Sequence, residues 1–270
     1  MPDAEFAEVS FYIVPHADDW QLFMHPNAYN DLVAAGNKVV FVITTAGDGG
    51  AGEKYWLARE EGTKSSIRFC LAPFETLKES NGVKEFNNHP INYWSINNVM
   101  TYFFRLPDGN LDGNGFAAGH YQSLSKFKSG KIRTIMAVDS STIYDSWSDF
   151  YTTLESIIMT ESAGNSNKCI NYLNPDEKEN PNDHPDHIAT GKAIQNMSIL
   201  PNLKQSLFVG YNCRNASQNL HPSELFWKTG MFAAYEKAVF DGSGYSTLNE
   251  NIDLYYKWCV KSAHFKIRNS

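Results

Sequence analysis

Cysteine is scarce in this chain of 270 residues: Cys70, Cys169, Cys213 and Cys259, with no CxxC pair among them. Such scattering excludes a zinc knuckle and offers no disulfide framework, so the four read as ordinary reduced or buried thiols. Positive charge is also short. Lys and Arg number 23 against 30 Asp and Glu, a formal charge of -7, which argues against nucleic acid or an anionic membrane as the main partner. No apolar run approaches the roughly 20 residues that span a bilayer. The first residues, Met1-Pro2-Asp3-Ala4-Glu5, lack the basic region and apolar core of a signal peptide. These absences predict a cytoplasmic protein without a membrane span. No repeat, low-complexity tract or Pro/Ser-rich linker divides the chain, so residues 1–270 are expected to form a single domain. The glycine-rich stretch 46–52 has neither Gly-Lys-Ser/Thr nor GxGxxG. It reads as the flexible rim of a site and not as a nucleotide-phosphate loop.

What the chain does have is an alternation of strand and helix signals. Short β-branched or aromatic runs at 11–14, 39–44, 101–106, 170–173 and 207–211 read as strands. Patterned stretches at 27–35, 53–71, 146–160 and 223–240, with a terminal one at 254–260, read as helices. The Asn-rich segment 74–98 is expected to hold a short strand and an extended loop, with His89 in solvent. Residues 111–129 read as a loop or lid. Alternation of this kind predicts an α/β fold with a mostly parallel sheet and helices on both faces.

Chemistry-bearing residues gather just after two of these strands. Val14-Pro15-His16-Ala17-Asp18-Asp19-Trp20 follows the first, where open α/β sheets place their ligand crevice. An imidazole and a carboxylate are common zinc ligands, and a second, uncoordinated carboxylate can act as a base on water. Adjacent acids on an extended segment point opposite ways, so both need not bind one ion, and spacing alone does not say which would. The competing reading is an Asp-rich turn or helix cap. Far downstream, Asp183-His184-Pro185-Asp186-His187 runs into a helix-like pattern with proline in its first turn. His184 and His187 then share a face, and this segment supplies the further imidazole that a three-ligand site needs. An Asp cap followed by solvent-exposed histidines is the alternative. His25, close behind the first motif, counts as a pocket residue at most. Arg59 in the 53–71 helix reads, from the residues alone, as a surface partner of Glu60 or Glu61. Pro107-Asp108-Gly109 is ordinary turn chemistry, again at a strand's carboxyl end.

The two segments together resemble the LmbE-like (PIG-L) family of zinc-dependent N-deacetylases. In that family an amino-terminal strand ends in His-Pro-Asp-Asp-Glu, and a distant His-Pro-Asp-His opens a helix. This chain has the second element in full and departs from the first at Ala17 and Trp20. Further similarity runs through Thr44-Thr45-Ala46-Gly47-Asp48, Arg59-Glu60-Glu61 and Leu106-Pro107-Asp108-Gly109, and ends near Gly191. The resemblance implies a Rossmann-like three-layer α/β sandwich. It implies Zn2+, or another divalent metal, on His16, Asp19 and His187, with Asp18 as the base. It also implies a protonated His184 stabilising an oxyanion, Asp186 orienting His184 or another histidine, and substrate contacts from Arg59, Asp108 and the Trp20 side of the pocket. The activity implied is removal of an N-acetyl group from an N-acetylglucosamine-type substrate, a small sugar or conjugate, by a chain that could be a homo-oligomer. Two alternatives stay open: a metal-dependent hydratase of a small unsaturated acid, with Trp20 marking a shifted pocket, and a sugar-binding protein without turnover. Retention of Asp18 argues against the last. No motif is legible beyond about Gly191.

Overall fold

The computed structural model describes residues 6–261 and the backbone of 265–268. In chain order the strands are β1 (Val9–Val14), β2 (Lys38–Thr45), β3 (Glu79–Phe86), β4 (His89–Ile96), β5 (Val99–Leu106), β6 (Ile135–Met136), β7 (Ile143–Tyr144), β8 (Lys168–Leu173), β9 (Lys204–Phe208) and β10 (Phe265–Arg268). The helices are α1 (Asp19–Phe23), α2 (Asn27–Val33), α3 (Glu53–Leu71), α4 (Leu124–Lys128), α5 (Trp147–Glu161), α6 (Pro185–Asn196), α7 (Pro222–Ser243) and α8 (Thr247–Cys259). The main sheet has the order β10-β9-β8-β1-β2-β5-β4-β3. Its five central strands, β9 to β5 in that order, run parallel, while β10 and β4 are antiparallel to their inner neighbours.

Helices cover both faces of the sheet, which is why β1 and β2 read as unbroken apolar runs. Alternation along each strand sorts its side chains between two cores. Tyr12, Val14, Phe41 and Ile43 pack with α1, α2, α3, α7 and α8 on one side; Phe11, Ile13, Val40 and Val42 pack with α4, α5 and α6 on the other. The three-layer α/β architecture expected from the sequence is therefore the one observed. Among the described residues no helix is long and apolar enough to cross a membrane.

The segment 74–98 differs from its expected strand and loop. It is a full antiparallel hairpin, β3–β4, that continues into β5. Asparagine makes both reversals: φ is 50° and 63° at Asn87 and Asn88 and 49° at Asn97. Asparagine enters that left-handed region far more readily than most residues, so its abundance here marks tight turns. His89 is buried at the foot of the hairpin and not solvated. Its Nδ1 lies 2.6 Å from Thr142 Oγ1, its Nε2 lies 3.0 Å from Asp149 Oδ1, and its ring stacks on Tyr144. Residues 111–129 end in α4 after an irregular loop, and β10 adds a strand beyond β9, the last one expected.

Strand β1 lies between β2 and β8, so the chain order reverses there. The crevice at such a switch point, beyond the carboxyl ends of the strands, is where open α/β sheets bind ligands. Both histidine-bearing segments leave these strands, residues 15–19 after β1 and residues 174–187 after β8.

His25 does not reach that crevice. It is fully buried, and neither ring nitrogen makes a hydrogen bond of normal geometry. Burial, helped by the nearby Lys228 ammonium, pushes its pKa down to about 3, so the folded chain keeps the ring neutral. An unfolded histidine takes its proton near pH 6.5. The stability at stake is thus fully present above about pH 6.5 and is lost as pH falls toward the folded value, up to ~5 kcal/mol in all. His25→Leu should remove much of that loss. Urea unfolding between pH 7 and pH 4 should show a flatter midpoint for the variant, and equal slopes for both proteins would contradict this.

Candidate metal centre

A tight turn after β1 brings the first three groups together. Asp19 opens α1, an N-terminal position that favours a carboxylate. Its Oδ2 accepts the backbone N–H of His16 at 2.8 Å and lies 3.4 Å from His16 Nδ1. Trp20, one residue on, faces the other way. It is fully buried, with its ring 4.7 Å from that of Phe41. The expectation that Trp20 walls the pocket and contacts substrate is therefore corrected: a helix points adjacent residues to different faces, and this one belongs to the core.

The second segment is fixed by its helix cap. His184 precedes α6 with an extended backbone, and its Nδ1 accepts the N–H of Asp186 at 3.1 Å. A neutral ring whose Nδ1 is an acceptor carries its proton on Nε2. Burial, then the neighbouring His16, pushes His184 down to about 4. This environment favours the neutral ring and not the protonated one that the resemblance suggested; the neutral form still donates from Nε2. One turn later His187 is fully buried. Its Nδ1 lies 2.9 and 3.0 Å from the two Asp183 oxygens, and its Nε2 lacks a hydrogen-bond partner while standing 3.2 Å from Asp19 Oδ1.

The fold brings the two segments into contact. Ligand atoms of His16, Asp19 and His187 all lie within 4.8 Å of one another. Each imidazole also has a carboxylate on its other nitrogen: Asp183 for His187, and for His16 the Asp186 Oδ2, 3.3 Å from Nε2. That arrangement fixes the ring and its tautomer around a metal. Asp186 Oδ2 also accepts the Gly109 N–H at 2.8 Å, and a Cβ on Gly109 would collide with this carboxylate. Asp183 is held by Asn180 Nδ2 (2.6 Å) and the Tyr211 N–H (2.9 Å).

Charge balance favours a cation here. Asp18, Asp19, Asp108, Asp183 and Asp186 are all buried, and Arg59 is the guanidinium among them. Burial disfavours charge on His187, yet Asp183 and Asp19 outweigh it and bring the pKa up to about 9. His16 is raised in the same way against its burial, chiefly by Asp19, while His187 and His16 hold Asp19 far below the usual carboxylate range. Two imidazoles, one carboxylate and an unsatisfied buried Nε2 fit a divalent ion. A second grouping, His16, Asp108, His184 and Asp186, is equally compact. Its His184 Nδ1 and Asp186 Oδ2 are already engaged by backbone N–H groups, while Asp186 Oδ1 has no hydrogen-bond partner.

Asp18 pairs with Arg59, whose Nη2 meets its Oδ1. The same guanidinium donates from Nη1 to the Gly47 carbonyl and from Nε to Tyr235 Oη at 2.7 Å. Arg59 is thus a buried tie and not a surface partner of Glu60, which pairs with Arg105 at 2.7 Å. Asp108 accepts the N–H of Asn110 (2.8 Å) and of Gly49 (3.1 Å), joining its own turn to the glycine-rich rim. Arg59 and Asp108 border two spaces. One is a chamber of about 90 Å³ holding His16, Asp18, Asp19 and His184. The other is a cleft of about 410 Å³ that includes Asp48, Tyr55 and Tyr245.

Sequence reading missed several of these groups. Asp183 had a signal, its i,i+4 spacing to His187. Tyr211, in the turn after β9, Tyr235 on α7, and Tyr255 and Trp258 on α8 had none, because only tertiary packing brings them to the site or to Arg59.

No curated protein matches the chain. Among solved structures it is similar to N,N'-diacetylchitobiose deacetylase from Pyrococcus horikoshii, solved with its inhibitor MPG. Identity is 15% and the TM-score 0.47, with 98% of this chain and 84% of that one covered. A family model described as PIG-L, GlcNAc-PI de-N-acetylase, matches residues 11–198, well over half of the chain, and includes His16, Asp19 and His187. The chain belongs to the PIG-L family.

Proposed function

We propose that this protein is a zinc-dependent N-deacetylase acting on an N-acetylglucosamine-type sugar or conjugate. The observation that carries the reading is the convergence of His16, Asp19 and His187, with Asp18 lining the same chamber as His16 and Asp19. Those three residues would hold the ion, which when bound supplies Lewis acidity toward an amide carbonyl and lowers the pKa of water.

The remaining work falls to the chain's own groups. Asp18 has Oδ1 committed to Arg59, leaving Oδ2 to take a proton from the attacking water and pass it to the departing amine. Neutral His184 donates from Nε2 to the oxygen of the tetrahedral intermediate. Asp183 and Asp186 keep His187 and His16 in orientation. The sugar lies in the larger cleft, where Asp108 accepts hydrogen bonds from its hydroxyls. The reaction consumes one amide and one water and yields acetate and a free amine. The burial of Trp20 removes the feature that favoured a hydratase. Residues 1–270 act as a single domain in this reading, since the segment beyond residue 198 extends the same sheet and borders the same chamber.

The test is acetate release. Zinc-loaded protein incubated with a panel of N-acetylated aminosugars and their conjugates should yield acetate and amine in equal amounts from at least one. Acetate from none of them would overturn the reading.

A further inference from the structure

We infer that the segment beyond residue 198, outside the family match, sets the size of the acyl group this site accepts, with Trp258 as the limiting wall. The inference rests on the deacetylase reading and deepens it. An amide carbonyl carbon has three substituents in one plane. With its oxygen toward His16 and His184, and its nitrogen toward the cleft that Arg59 and Asp108 border, the alkyl group is left facing the remaining side of the chamber. Leu22, Phe23, Tyr211, Tyr255 and Trp258 form that side. The last three lie beyond residue 198, where the family match ends.

This wall is braced. The Trp258 ring stacks on Tyr211 at 4.8 Å, meets Phe23 edge-on at 5.6 Å and Tyr255 at 5.2 Å, and is 3% exposed. Its indole N–H donates to the Tyr211 carbonyl at 3.1 Å. Buried Lys228 reaches across from α7 and donates to the carbonyls of Trp258 (2.8 Å) and Lys261 (2.6 Å), pinning the end of α8. No single rotamer change moves such a ring aside.

Space behind the carbonyl is correspondingly small. The chamber of about 90 Å³ is small beside the roughly 150 Å³ of cavities that admit benzene. A two-carbon acyl group fits. Each methylene beyond a fitted pocket changes rates by roughly 10- to 200-fold, so a butyryl group should be strongly disfavoured.

Two readouts test this. The first is kcat/KM on N-acetyl-, N-propionyl- and N-butyryl-glucosamine or the matching conjugates. The second, which needs no turnover, is calorimetric binding of acetohydroxamate and butyrohydroxamate to zinc-loaded protein. The unaltered chain should favour acetyl over butyryl by about 100-fold, and acetohydroxamate over butyrohydroxamate in the same sense. Trp258→Ala should raise the butyryl-to-acetyl ratio at least tenfold through a gain on butyryl. Should that variant fail to fold, Tyr255→Ala, which trims a half-buried part of the same wall, carries the same expectation. Equal handling of butyryl and acetyl by the unaltered chain, or an unmoved ratio in a folded, zinc-loaded variant, overturns the proposal. Turnover of none of the amides, with the hydroxamate order and its Trp258 dependence intact, overturns the deacetylase reading and supports the wall.

Discussion

An Asp18→Asn protein should bind one equivalent of zinc, as the unaltered chain does, and release acetate at least a thousandfold more slowly. Asparagine matches aspartate in shape and keeps an oxygen for the Arg59 guanidinium, so the tie through Gly47 and Tyr235 survives. What it removes is the capacity to take a proton from water and return it to the amine. Positioned acid–base groups contribute roughly 10²- to 10⁴-fold, and Asp18 serves here in both directions. A purely structural role for Asp18, anchoring Arg59, would leave most turnover in this variant. Zinc content and initial rates on the same preparation separate the cases. Near-normal turnover removes Asp18 as the base, and loss of zinc makes it a ligand.

His187→Ala should lose zinc altogether under conditions where the unaltered chain is stoichiometric. The substitution deletes a fully buried imidazole whose Nε2 is unsatisfied and whose removal leaves Asp19 and Asp183 facing a void. Three protein ligands are the usual minimum for a hydrolytic zinc site, and two would remain. Asp183→Asn offers the graded comparison. The amide oxygen can still accept from His187 Nδ1, but its charge is gone, and partners of this kind are worth 10- to 100-fold in metal affinity. Competition with a chromogenic chelator should place Asp183→Asn between the unaltered chain and His187→Ala. Stoichiometric zinc in His187→Ala would refute the ligand assignment.

The layered fold and the two histidine-bearing segments were legible because each is a local pattern: apolar runs for β1 and β2, and His and Asp placed just past a strand or at a helix start. Other features depend on tertiary packing. The reversals at Asn87-Asn88 and Asn97 are a turn signal that a general polarity reading absorbs into a loop. Trp20 departs from the family pattern at a position that looks like a pocket change, yet α1 turns it into the core beside Phe41. His25 is close in sequence to the first motif and remote from it in function, since α1 carries it past the crevice to a site against Lys228. The brace formed by Tyr211, Tyr255 and Trp258 carries no periodicity related to the motifs it closes over. Asp183 was within reach of sequence reasoning, because residues four apart on a helix start face each other, but the more conspicuous Asp186 stood between two histidines.

Residues after β1 and residues after β8 are expected to share one divalent ion. Anomalous diffraction at the zinc edge from zinc-loaded crystals tests it most directly. A shared ion gives a single strong peak about 2.0–2.2 Å from one atom each of His16, Asp19 and His187. A peak seated instead on Asp108, His184 and Asp186, out of reach of His187, would contradict it.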